Sequence, residues 1–363
     1  MRSGHLFGML VVALALLDGA CSSDNTGTPY RGGSGGGSGG KSGQGGSTSS
    51  GGTVGPATGS GGMPGTGGRT GSGGATVDGG STAAGGQTGS GGSTGDGGST
   101  ATVPSAGCGK TPTLTSGPQT LGSRKYIIRI PSDYNNAKPY RLIFGMHWMG
   151  GTMEDVDTGQ TVAKTVWSYY GLQQLDTEHT TIFVAPNASG SIWAKSDETF
   201  VDDMVKLFED DLCIDTSRIF SIGFSYGAIF SYSLACDRPK IFRAVATLEA
   251  APNIGCDDGK TPVAYLGIEG LSDPTCTPTM ARGCRDTFVK ANGCTVPASV
   301  PEWTSGQNHV CYSYEGCKAG YPVRWCTGNF THQAASCDTC SQSGIDGNKT
   351  WEPGEAWKFF TQF

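Results

Sequence analysis

The chain has 363 residues, but 61 are glycine and only 15% are charged, so its average composition describes no single folded unit. A formal net charge of −6, with no run of Lys or Arg, excludes partners recognised through phosphate neutralisation, nucleic acid above all. Beyond the N-terminal leader, no apolar stretch approaches the ~20 residues that a membrane-spanning helix needs.

The chain starts Met1-Arg2, runs through an apolar core over residues 6–17, and reaches Asp18-Gly19-Ala20-Cys21. A charged start, a short apolar core and small residues before a cut site predict an export signal over residues 1–20. The stretch resembles a bacterial lipoprotein signal, which implies that Cys21 carries lipid after cleavage and tethers the protein to a membrane at the cell surface. Ordinary secretion is the alternative. Residues 21–107 are nearly all Gly, Ser and Thr, without Trp or Phe, and cannot bury a core. They read as a disordered linker with a root-mean-square span of about 50 Å. Residues 108–363 hold nearly all the aromatics and suit one domain of ordinary size. Of the 13 cysteines, setting Cys21 aside leaves an even number, all within that domain. In an exported chain these predict structural disulfides, six at most. Cys337-Asp338-Thr339-Cys340 is expected to be one such bridge and not a zinc or redox site.

Within the domain, residues 123–130 alternate polar and apolar side chains as a half-buried strand does, and residues 140–146 form a near-continuous apolar strand. The second runs into His147-Trp148-Met149-Gly150-Gly151, a loop of the kind that supplies an oxyanion-hole amide. Aligning H-G-x-G to it places Met149 at the donor position, with His147 shaping the loop. A helix is expected over residues 162–175 and a buried strand over 181–185. Residues 198–212 carry Phe200, Met204 and Phe208 at four-residue spacing, the mark of an amphipathic helix on a sheet. Asp202 and Asp203 then fall on its solvated face. Residues 218–222 form a strand that meets Gly223-Phe224-Ser225-Tyr226-Gly227 and an apolar helix over 228–235. This G-x-S-x-G between strand and helix is a nucleophile elbow: Ser225 is the candidate nucleophile, and the Tyr226 amide at the helix start is the second oxyanion donor. Three more strands are expected over residues 244–248, 262–267 and 321–326. Strands alternating with helices predict an α/β domain, a mostly parallel sheet with helices on both faces.

Ser225 needs a base, and the chain offers five histidines. His5 leaves with the signal; His147 and His179 precede the elbow, against the order serine, acid, histidine of such folds. Of the remaining two, His332 follows the strand over 321–326 and precedes a closing helix near 355–360, so it is preferred to His309. The acid belongs in a loop after a strand between Ser225 and His332. Asp273 fits best, with Glu269 the nearer rival and Glu249 a more distant one; Asp286 reads as surface-facing.

The segments HWMGG (147–151), CIDTSRIFSIGFSYG (213–227), RDTFVKANGC (285–294), YPVRWCTGNFTH (321–332) and the final W-x-F-F-T-Q-F (357–363) resemble the feruloyl esterase and polyhydroxybutyrate depolymerase group of α/β-hydrolases. The resemblance implies an α/β-hydrolase fold, a Ser225, Asp273, His332 triad and no cofactor or metal. It also implies an ester substrate, feruloylated arabinoxylan, with Trp148 and Trp193 as aromatic surface for a phenolic acyl group. A polyester depolymerase or acetylxylan esterase is the alternative within the class. A carbohydrate-binding or adhesion module with an inactive triad is the alternative outside it.

Overall fold

The structure, a computed structural model, describes residues 101–159, 167–341 and 349–363. In chain order its elements are β1 (Gly117–Leu121), β2 (Arg124–Arg129), β3 (Tyr140–Met146), α1 (Met153–Thr158), α2 (Leu172–Leu175), β4 (Thr181–Pro186), α3 (Glu198–Asp211) and β5 (Ile214–Phe224). These are followed by α4 (Tyr226–Asp237), β6 (Ala244–Leu248), β7 (Ala264–Gly270), α5 (Pro278–Ala291), β8 (Val310–Ser313), β9 (Val323–Gly328) and α6 (Glu352–Thr361).

The strands form one sheet in the order β1-β2-β4-β3-β5-β6-β7-β9-β8. From β4 through β9 every neighbouring pair is parallel. Antiparallel strands close both edges: β1 and β2 at one, β8 at the other. This is the α/β-hydrolase arrangement. β4, β6 and β7 are buried along their whole length and β3 at all but Arg141, because helices cover both faces. Phe208 of α3, Phe230 of α4 and Phe288 of α5 pack on one face. Met153 and Val156 of α1 and Phe359 and Phe360 of α6 pack on the other.

Two edge strands, β1 and β8, escape a reading based on apolar runs. β1 is short and mostly polar; it forms because Gly122, at φ 61°, turns the chain in two residues between the paired Leu121 and Arg124. β8 is stapled to β9 by Cys311–Cys326, which face each other in register. The expected continuous helix over 162–175 is not formed across its described part. Tyr169 and Tyr170 take left-handed φ values of 52° and 56°, and only a tight turn and α2 follow Trp167. Both tyrosines are buried: Tyr169 hydroxyl donates to Asp157 and Tyr170 hydroxyl to the Met146 carbonyl, contacts a straight helix could not make together. The rest of that segment, residues 160–166, lies outside the described residues, as do the leader, Cys21 and most of the linker.

The domain begins before residue 108. Val103 N–H donates to Asp215 Oδ1 (3.0 Å), Pro104 bridges to Asp215, and the buried Ser105 hydroxyl donates to the Leu212 carbonyl (2.6 Å). Residues 101–107, assigned to the linker by composition, are therefore docked by backbone hydrogen bonds, which composition does not register. Five disulfides are described: Cys108–Cys213, Cys236–Cys256, Cys294–Cys317, Cys311–Cys326 and Cys337–Cys340. Cys284 is a free, buried thiol on α5, so the twelve cysteines of residues 108–363 do not form the six bridges that their even number allowed. Burial pushes its pKa up, and it behaves as a small apolar side chain. Five disulfides place the domain in an oxidising compartment outside the cytoplasm.

Candidate active site

β5 delivers Ser225 to the carboxyl edge of the sheet, where open α/β sheets place their sites. Ser225 has φ 55° and ψ −122°, a conformation that costs a non-glycine residue on the order of 1–3 kcal/mol and persists only where neighbours enforce it. They do: Ser225 N–H donates to the Leu248 carbonyl at the end of β6 (3.0 Å), and its own carbonyl accepts from Ile229 of α4 (2.9 Å). The elbow also requires its two glycines. A Cβ at Gly223 would lie 2.3 Å from the Gly227 carbonyl carbon, and one at Gly227 would lie 2.0 Å from the Met146 carbonyl oxygen. Strand, turn and helix pass within backbone contact there.

The loop after β9 carries His332 to the same point. Its Nε2 lies 2.8 Å from Ser225 Oγ, and its Nδ1 lies 2.7 Å from Oδ2 of Asp273, in the loop after β7. These distances suit the tautomer with the proton on Nδ1, leaving Nε2 to accept from the serine hydroxyl. Asp273 is itself fixed: Oδ1 accepts the backbone N–H groups of Thr275 (2.7 Å) and Cys276 (3.1 Å). Ser225 is 2% exposed and Asp273 4%, so the relay sits in a low-dielectric setting. Burial alone would lower the pKa of His332, but hydrogen bonds and charge from Asp273 and Glu249 outweigh it and raise it to about 9. Phe224 packs against the imidazole at 4.7 Å between centroids.

The loop after β3 lies beside the elbow. His147 is buried and its pKa lowered by that burial; its Nδ1 donates to the Trp148 carbonyl (2.7 Å) while Nε2 accepts from Ala188 N–H (3.0 Å). It braces the loop. The amides after Met149 are already engaged, Gly150 with the Ser191 carbonyl and Gly151 with the Trp148 carbonyl. Trp148 is part-exposed and its ring lies 6.3 Å from that of Phe224, which places it on the rim of the site. Trp193 is not available to a substrate. It is 1% exposed, stacked on Phe230 at 4.5 Å, and its indole N–H donates to the His147 carbonyl (2.8 Å). Its role is to hold the loop from inside, a position that sequence alone cannot separate from a surface tryptophan.

The other candidates fall elsewhere. His309 pairs with Asp338 (2.8 Å) and stacks on Trp351; His179 pairs with Asp133 at the surface. Glu269 is buried within β7, where neither carboxylate oxygen has a hydrogen-bond partner among the described residues. Asp202 pairs with Arg238. Glu249, weighed in the sequence only as a remote acid, lies 3.1 Å from His332 Nδ1. Metal-donor atoms group at Glu249, Asp273 and His332, and at His309, Cys311 and Glu355. The first group holds Asp273 and His332 of the hydrogen-bonded relay with Glu249 beside them, and the second includes a sulfur already bonded to Cys326.

Curated relatives share most of the domain. A feruloyl esterase D of Neurospora crassa is 39% identical over 273 residues, which is 72% of this chain and 92% of the relative. A probable feruloyl esterase C of Aspergillus terreus is 40% identical over 265 residues, with the same coverage. A feruloyl esterase C of Emericella nidulans is 39% identical over 252 residues, 68% of this chain and 90% of the relative. No family model matches the chain. Solved structures are more distant: an acetyl xylan esterase from Aspergillus awamori has 14% identity and a TM-score of 0.47, covering 66% of this chain and 94% of that one. With identities near 40% over nine-tenths of the relatives' length, this chain belongs to the feruloyl esterase family of carboxylic ester hydrolases.

Proposed function

We propose that the protein releases hydroxycinnamates, ferulate first among them, from esters on plant cell-wall arabinoxylan, using Ser225, His332 and Asp273. Ser225 Oγ attacks the ester carbonyl while His332 Nε2 takes its proton, and Asp273 holds the imidazole in the tautomer that leaves Nε2 free. The amides of Met149 and Tyr226 receive the oxyanion; Tyr226 opens α4, where the first N–H groups have no intrahelical acceptor and the helix dipole favours negative charge. His332 returns the proton to the departing sugar oxygen, and water repeats the cycle on the acyl-enzyme. The observation that carries this reading is the unbroken relay Ser225 Oγ, His332 Nε2, His332 Nδ1, Asp273 Oδ2, at 2.8 and 2.7 Å. Trp148 on the rim supports an aromatic acyl group. Ser225→Ala should reduce turnover of methyl ferulate by on the order of 10⁴- to 10⁶-fold and abolish labelling by a fluorophosphonate. Retained labelling would remove Ser225 from the mechanism. Equal turnover of methyl ferulate, acetylated xylan and polyhydroxybutyrate film would remove the feruloyl preference.

The export signal read over residues 1–20 supports a location outside the cytoplasm, and we infer a tether through lipid on Cys21. Cys21→Ser should then move the protein from membrane to soluble fractions; an unchanged distribution rules the tether out.

A further inference from the structure

Glu249 stands in the site with no part in the relay. It follows β6 with φ 58°, a left-handed backbone that glutamate adopts only where its surroundings enforce it. That turn buries the side chain completely and sets Oε2 3.1 Å from His332 Nδ1. The same oxygen accepts the backbone N–H of Gln333 at 2.9 Å. Glu249 therefore grips two consecutive residues of the loop that carries the imidazole, and two carboxyl oxygens, Asp273 Oδ2 at 2.7 Å and Glu249 Oε2 at 3.1 Å, face the single Nδ1 proton.

Resting on the reading of His332 as the general base, we propose that Glu249 is a second positioning carboxyl for that base: it shares the Nδ1 proton with Asp273 and becomes its acceptor when Asp273 is removed. A purely structural glutamate would need to reach Gln333 alone; this one also reaches the ring nitrogen whose proton sets the tautomer. Burial pushes the Glu249 carboxyl up to about 8. Near neutral pH it thus holds a proton and presents a dipole to the imidazole, and above pH 8 it becomes a charged acceptor. The groups facing it are His332 and Asp273 from the two loops and Glu269 from β7, whose own pKa is raised well above normal by burial, then by Glu249 and Asp273. Beyond Glu269 lie Cys284 and Arg282 of α5, and Glu302. None of these donates a hydrogen bond to Glu269, and its burial disfavours the charged carboxylate.

The test measures kcat and KM for methyl ferulate against pH in the whole domain for Glu249→Gln, Asp273→Ala and the double variant. Glu249→Gln keeps an acceptor for Gln333 N–H and should leave KM unchanged. It should lower kcat by about 10-fold above pH 8, where Glu249 is charged, and move the acid limb of kcat/KM to lower pH because one of the two groups raising His332 is gone. Asp273→Ala should retain activity that climbs as pH passes about 8, where Glu249 ionises. The double variant should lose that climb and at least a further 10-fold. An unmoved acid limb in Glu249→Gln, or a double variant equal to Asp273→Ala, overturns the proposal; a drop in melting temperature without a pH shift does the same, by making Glu249 merely structural. If Glu249→Gln does not fold, Glu249→Asp withdraws the carboxyl by one carbon and should shift the limb the same way. Ser225→Ala in parallel separates the two readings: if it retains turnover, the serine mechanism fails whatever Glu249 does. If it is dead while the Glu249 variants are unmoved, only the second carboxyl fails.

Discussion

At Gly227 the clash is with backbone, which cannot swing aside as a side chain would. A methyl there meets the Met146 carbonyl at 2.0 Å, so Gly227→Ala should cost about 3 kcal/mol and displace the oxyanion loop, seen as a lowered melting temperature together with lost activity. The two tryptophans beside the elbow separate by readout. Trp193→Phe keeps the stack on Phe230 but strands the His147 carbonyl, a loss of roughly 1–3 kcal/mol in stability; any loss of activity should fall in kcat. Trp148→Ala, on the rim, should instead raise KM for feruloyl esters and leave acetyl esters unaffected. Equal effects on both substrates would deny Trp148 an acyl-binding role. Ser225 was legible because an elbow needs glycines at fixed spacing. Trp193 and Glu249 were not, since a single buried tryptophan in a loop shows no period, and the left-handed φ at Glu249 is not marked by a glycine.

The elements that carry the site were readable where their side chains follow a period. β3 and β6 span the expected residues, and α3 matches to within one residue, because burial on both faces of a strand, or on one face of a helix, dictates composition. The edge strands β1 and β8 and the broken segment before α2 were not readable: a turn and a disulfide hold the edges, and hydrogen bonds from Tyr169 and Tyr170 hold the break. Disulfides also divide by scale. Cys108–Cys213 ties residues 105 apart and anchors the chain leading into β1, whereas Cys337–Cys340 closes a loop of sequence separation 3. On a chain-entropy account, replacing the first pair with serines should cost about 5 kcal/mol and the second about 2 kcal/mol. Denaturant titrations under non-reducing conditions check this; equal losses would mean that native-state strain or local packing, not loop closure, sets the effect.

Several acids buried in the whole molecule bind protons more tightly folded than unfolded. Burial raises Glu198 and Glu352 to about 7 and Glu249 to about 8. For such groups the folded state holds the extra proton between pH 4.5 and the raised value, so stability falls as pH rises through that window. His332, raised to about 9, acts the same way above 6.5: the stability it contributes is full below 6.5 and lost as pH passes 9. The acids lowered on folding, Asp211, Asp237 and Glu302, act only below about pH 5. The melting temperature should therefore peak near pH 5 and decline toward pH 9. Glu352→Gln should flatten the part between pH 4.5 and 7, since Glu352 accepts from Ser336 N–H on the loop bearing His332. A profile rising from pH 5 to 8 would contradict the burial of these carboxyls. Composition, apolar period and the spacing of Gly223, Ser225 and Gly227 by themselves determined the parallel sheet and the elbow at which the proposed nucleophile sits, because each is a local demand of backbone geometry or water exclusion. Only the tertiary structure decided which acids meet the imidazole, that Trp193 is sealed inside, and that the domain starts before residue 108. Those depend on atoms distant in the chain brought to within 3.1 Å, and no local pattern in the chain encodes such a distance.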